Sequence, residues 1–182
     1  MKKFTMMAMV LMAAVFVQAA QWRVLDSAEQ AKTGANRMYE VDHADLTTTA
    51  TNTAQTLTVA VPAKAAVRFL MMELETAFDT GNTNYTGSLA VKVGDGTDDD
   101  LFLTSTELAS DGSEVFRKFA PLPALTAVTT IGATTNTVVT AAALGEKVYT
   151  AADTLDFVFT PNAEEAVSAN TSGKVRFYFN VQ

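Results

Sequence analysis

Lys174-Val175-Arg176-Phe177-Tyr178-Phe179-Asn180-Val181 sets four apolar side chains against Lys174, Arg176, Tyr178 and Asn180 in strict alternation. Successive side chains of an extended chain point to opposite faces, so Val175, Phe177, Phe179 and Val181 define one face for burial and Tyr178 is the outward ring. A strand with one greasy face needs partners, and the rest of the chain supplies them at the same period. Thr154 to Thr160 turns Leu155, Phe157 and Phe159 one way and pairs with Lys147 to Thr150. Leu89, Val91 and Val93 alternate with Ala90 and Lys92 until Gly94-Asp95-Gly96 breaks the pairing. Thr56 to Val61 presents Leu57, Val59 and Val61 and ends at Pro62, whereas Val67 to Glu75 is apolar on both faces through Phe69, Leu70, Met71 and Met72, as in a central or covered strand.

Between these segments, Asp79 to Gly87 is a turn cluster, Leu101 to Leu103 a short apolar run, Thr104 to Ala109 a helical turn, and Glu114 to Phe119 a strand. Pro121 and Pro123 bracket an extended corner, and Thr126 to Thr140 reads as two short strands or a strand and a long loop. Strands punctuated by turns at roughly ten-residue intervals predict a mainly β chain, an antiparallel β-sandwich of jelly-roll-like form with an N-terminal hydrophobic helical or extended arm. Residues 56–182 form the sandwich, 21–55 an arm or linker, and 1–20 a signal-like segment. Within the lead-in Gln21 to Asp45, only Ala28-Glu29-Gln30-Ala31-Lys32 favours a helix, and Gly34 stops it.

Composition agrees. Of 182 residues, 27 are threonine, a stiff β-branched type suited to pleated surfaces and polar loops. Hydrophobic residues at 48% against 18% charged argue for a folded single domain. A net charge of -7 repels phosphate, which excludes a nucleic-acid partner held by a basic groove. No cysteine means no disulfide framework, thiolate nucleophile or Cys-ligated metal.

Met1-Lys2-Lys3 precedes an uncharged run from Met6 to Val17, with Val17 and Ala19 placed as the small residues of a cleavage site. That is the layout of a bacterial secretory signal. The run is shorter than the roughly 20 residues of a spanning helix, so any membrane contact is confined to residues 6–17.

Catalytic constellations are not apparent. The one imidazole, His43 in Asp42-His43-Ala44-Asp45, has no nucleophile elbow to serve and reads as a solvated surface residue. The sharpest polar feature is Asp95-Gly96-Thr97-Asp98-Asp99-Asp100, in which Asp95, Thr97 and Asp99 are candidate calcium ligands at alternate positions. Asp100 stands where an EF-hand loop needs glycine and Thr106 where it needs glutamate, so a solvated turn capping the helical turn after it is the reading preferred. Glu73 and Glu75 share a strand face by parity, but a carboxylate hydrolase needs two acids across a cleft, and neither these nor Glu107 can be set opposite one another from spacing. Asn84-Tyr85-Thr86 and Asn170-Thr171-Ser172 fit the short glycosylation pattern. Phe157, Phe159, Phe177, Tyr178 and Phe179 could line a sugar site, yet their spacing assigns them to core packing. No catalytic residue, cofactor or firm metal site is expected.

Val93-Gly94-Asp95-Gly96-Thr97-Asp98, then Leu101-Phe102-Leu103, Val148-Tyr149-Thr150-Ala151-Ala152-Asp153-Thr154-Leu155-Asp156 and Gly173-Lys174-Val175-Arg176-Phe177-Tyr178 follow one another in a familiar order. Over about residues 89–182 the chain resembles a loose group of tailed-bacteriophage virion proteins, capsid decoration or head-fibre-like. The resemblance implies a non-enzymatic virion structural protein acting through multivalent contacts, self-associating and binding other structural subunits. The signal-like start supports the alternative, an exported bacterial surface or filament-forming protein, secreted or on the cell surface, with carbohydrate binding as one of its expected activities.

Overall fold

The computed structural model describes residues 22–81, 89–108, 116–119, 146–161 and 165–182. The signal-like segment, most of the Asp79 to Gly87 cluster, the Thr126 to Thr140 stretch and Asn84 lie outside the described residues. The chain is mainly β: β1 (Arg23–Val24), α1 (Ser27–Thr33), β2 (Arg37–Asp42), β3 (Gln55–Val61), β4 (Ala66–Asp79), β5 (Leu89–Asp95), β6 (Leu103–Glu107), β7 (Phe116–Phe119), β8 (Lys147–Val148), β9 (Asp153–Pro161) and β10 (Ser172–Val181). These make two antiparallel sheets, one in the order β1-β2-β10-β4-β7 with β8 also on β4, the other β3-β9-β5-β6.

The sheets stack face to face on a core of aromatic rings. Phe157 of β9 lies 4.6 Å from Tyr39 of β2 and 4.9 Å from Phe177 of β10, measured between ring centroids, so one side chain ties the smaller sheet to two strands of the larger. Phe78 reaches Phe159 at 6.4 Å, and Phe179 gathers Phe69, Phe102 and Trp22 within 6.2 Å. Such tilted and edge-on pairs add to the burial of area by satisfying the ring quadrupoles.

β4 explains its two apolar faces by a change of parity. Tyr178 pairs with Met71 but Phe179 with Phe69, so Leu70 is an extra residue. Val67 and Phe69 point inward before this bulge, Met72 and Leu74 after it, and Met71 faces out into a second cluster with Leu25, Ala35, Met38 and Tyr178. Tyr178 is outward as its pattern requires, yet only 7% exposed, because the segments flanking α1 cover it.

Three expectations are corrected. Lys147–Val148 pairs with β4 and not with Asp153–Pro161, which lies between β3 and β5. The lead-in is not merely irregular: α1 forms where expected, with a capping box between Asp26 and Glu29, but Arg37–Asp42 is a full strand beside β10 that buries Tyr39 and Val41 in the core. Met38 on the opposite face also finds apolar cover, and this blurred the period-two signal. The helical turn at Thr104 to Ala109 is instead β6, paired with β5 through Val91 and Thr106 and through Ala90 and Glu107. Consecutive Thr, Ser and Thr favour a pleated edge over a helix, so among the described residues 104–108 there is no helical turn for the acidic turn to cap.

Candidate functional site

Asp95 ends β5 and is 1% exposed, the deepest carboxylate among the described residues. Its Oδ1 accepts the backbone N–H of Thr97 at 2.9 Å and of Asp98 at 3.1 Å, while its own N–H donates to the Asp98 carbonyl at 2.8 Å. The turn closes so tightly that a Cβ on Gly94 would overlap the Asp98 carbonyl, which is why glycine precedes the aspartate. On the other side, Oδ2 pairs with the Lys147 ammonium and accepts the Tyr149 hydroxyl at 3.3 Å. Lys147 Nζ also lies 4.9 Å from the Tyr149 ring centroid. Burial pushes the Asp95 carboxyl up, but Lys147 and the two backbone amides outweigh that and hold it below the usual range. Burial, reinforced by the Asp95 charge, raises the Tyr149 hydroxyl.

The candidate calcium ligands are thereby distributed. Asp95 turns inward onto donors, Thr97 stays at the surface, and Asp99 is exposed and paired with Lys92. Asp98, Asp99 and Asp100 form a separate exposed group whose carboxylate oxygens lie within 4.8 Å of one another. There the Asp98 carboxylate raises the Asp100 carboxyl by hydrogen bonding. What the sequence did not reveal is the partnership of Asp95 with Lys147 and Tyr149, more than fifty residues away; the Val148 to Asp156 motif contains Tyr149 but gives no sign of its partner. With both carboxylate oxygens engaged by the chain itself, the cluster acts as a clamp joining the 94–98 turn to β8.

The outer face of the larger sheet carries a second polar array. Arg176 Nε donates to Glu40 at 2.7 Å and its Nη2 sits 2.7 Å from Glu75, while Lys174 lies 3.6 Å from Glu40 and 3.8 Å from Asp42. The Tyr178 hydroxyl donates to Glu73 at 3.0 Å, and burial plus that carboxylate push it up to about 12. Glu73 and Glu75 thus share a face, as parity required, and Glu107 belongs to the opposite sheet. His43 stands half-exposed, its Nδ1 2.7 Å from Asp42. Asn170 is buried and its amide donates to the Val167 carbonyl at 2.8 Å, so this sequon faces inward. Phe157, Phe159, Phe177 and Phe179 are all fully buried.

The sheets end on unlike edges. The larger is bounded by two-residue β1 and, beyond β4, by β7 and β8; the smaller ends on β3 and β6. Trp22 brings its indole N–H to the Ala60 carbonyl of β3 at 3.2 Å. Among the described residues no helix is long and apolar enough to cross a membrane. Compared with protein-family models, curated proteins and solved structures, the chain matches none.

Proposed function

We propose that this chain is a non-enzymatic structural subunit, a coat, decoration or fibre protein of a virion, built on a jelly roll and working through multivalent contacts with its own copies and companion subunits. The strand order supports the jelly-roll part of this reading. Among the described residues, leaving out the two-residue β1 and β8, eight strands pair first with last (β2 and β10), second with seventh (β3 and β9), third with sixth (β4 and β7) and fourth with fifth (β5 and β6). Such a ladder is one long hairpin; rolled up, it brings β10 against β4 and β9 against β5, which are the two remaining pairings. This order supports a jelly roll, an architecture used by viral coat proteins as well as by lectins and cupins. Fold alone does not choose among these. The choice of a structural subunit rests on the motif resemblance over residues 89–182 and on conspicuous polar groups that are engaged with one another.

The signal-like start favours a second reading, an exported surface or filament protein. Sedimentation and negative-stain microscopy of the full chain test the common element: closed multimers or filaments are expected, and a monomer at every concentration overturns it. The intact mass of the natively produced protein separates the two, Met1 at the N-terminus supporting the virion reading and Ala20 or Gln21 supporting export.

A further inference from the structure

We propose that the outer edge of β3 is a self-association edge, on which β3 of a second copy pairs antiparallel about a two-fold axis near Leu57, extending the four-stranded sheet across two subunits. The inference rests on the structural-subunit reading and names its contact. Among the described residues no strand pairs with this edge. The Ala60 carbonyl, by accepting the Trp22 indole, shows that main-chain groups at Ala60 point away from β9. Alternation of the ladder aims those of Thr58 and Thr56 the same way.

Edge strands are ordinarily guarded by charge, shortness or a bulge. The other edges have such guards: β6 is five residues long, irregular in register and ends on Glu107; β7 is four residues long; β1 and β8 are two residues each. Gln55-Thr56-Leu57-Thr58-Val59-Ala60-Val61 has seven residues, no charge and no proline. Such a strand is a template for another like it.

The occupant follows from charge and symmetry. A chain of net charge -7 repels its copies, and at this strand two copies meet with no charge on either side. Pairing about Leu57 sets Thr56 opposite Thr58 of the second copy, aligns outward-facing main-chain groups of both, and leaves the Trp22 bond to Ala60 in place. Leu57 and Val59 keep their inward face in both subunits.

Sedimentation velocity of the full chain against the double variant Thr56→Lys, Thr58→Lys tests this, with thermal melting as the fold control. Both side chains are exposed, so the lysines fit, and self-association should weaken at least about tenfold, with melting unchanged when both proteins are compared at a dilution where each is monomeric. In the wild-type chain, hydrogen exchange at the Thr56 and Thr58 amides should slow as concentration rises. Self-association that the lysines leave intact, or exchange there that ignores concentration, overturns the β3 edge while the structural-subunit reading stands. A wild-type monomer throughout overturns both.

Discussion

The two outer faces of this sandwich follow the same alternation and end up opposite in character. Over the larger sheet, Glu40, Asp42, Glu75, Lys174 and Arg176 pair with one another, Tyr178 bonds Glu73, and the flanks of α1 lay Leu25 and Ala35 over Met38 and Met71. Over the smaller sheet lie Thr56, Thr58 and Ala60 of β3, Ala90 of β5, and Thr154, Val158 and Thr160 of β9, with charge among the described residues at Lys92, Asp156 and, opposite Ala90, Glu107. Lys92 leans to Asp99, and Asp156 accepts the Thr154 hydroxyl. One face satisfies itself; the other leaves methyls and hydroxyls facing outward. A surface that has already neutralised its charges gains little from a partner, whereas one dominated by methyls and hydroxyls, as β3 and β9 are, loses little solvation when covered.

Both faces hang on one interior, and removing its pivot should have the largest effect. Phe157→Ala should cost about 4 kcal/mol in urea unfolding, because the ring touches Tyr39, Phe177 and Phe179 across the two sheets. A cost below about 1 kcal/mol would mean that the sheets are not coupled through it. Next comes the clamp: Asp95→Ala should cost about 3 kcal/mol, since it strands two backbone amides and the Lys147 charge. The acid limb carries its signature. A carboxyl held below its unfolded value near 3.9 stabilises fully above that pH and loses the contribution as pH falls through its folded value. Unfolding midpoints measured from pH 7 down to 3 should therefore fall more steeply for wild type than for Asp95→Asn, and parallel curves would count against the clamp.

Gly173→Ala should cost about 2 kcal/mol by calorimetry, because φ is +140° there and a Cβ would overlap the Phe78 ring. The outer faces themselves should respond least and differently. Arg176→Ala should cost about 1 kcal/mol and less in high salt, since it leaves Glu40 and Glu75 without their shared cation. Thr58→Lys on the other face should stay within about 0.5 kcal/mol. Equal costs at Arg176 and Thr58 would erase the contrast between the faces.

Legibility in the sequence tracked how simple each burial pattern was. β9, β5 and β3 bury one face each, as β10 does apart from Tyr178, and their alternating Val, Leu and Phe marked them directly. β2 was hidden because Met38 is covered on the outside as well as Tyr39 on the inside, and β6 because three small hydroxyl residues carry little hydrophobic signal. The Leu70 bulge, which flips the parity of β4, left only an excess of apolar residues as its trace. At the polar sites the turn was read early: Gly94 and Asp95 still belong to β5, opposite Asp156 and Leu155, and the carboxylate expected to be solvated is buried on Lys147 and Tyr149, which lie more than fifty residues further along the chain.

What the sequence determined by itself is the period of its strands, and hence two buried-inward faces and a mainly β fold, because alternation is a local property of an extended backbone. Only the tertiary structure decided which strands are neighbours, which face is clad and which edges have no partner strand among the described residues. Those depend on contacts between segments far apart in the chain, and the rings of Phe157 and Phe179 and the carboxylate of Asp95 acquire their partners only when the sheets close.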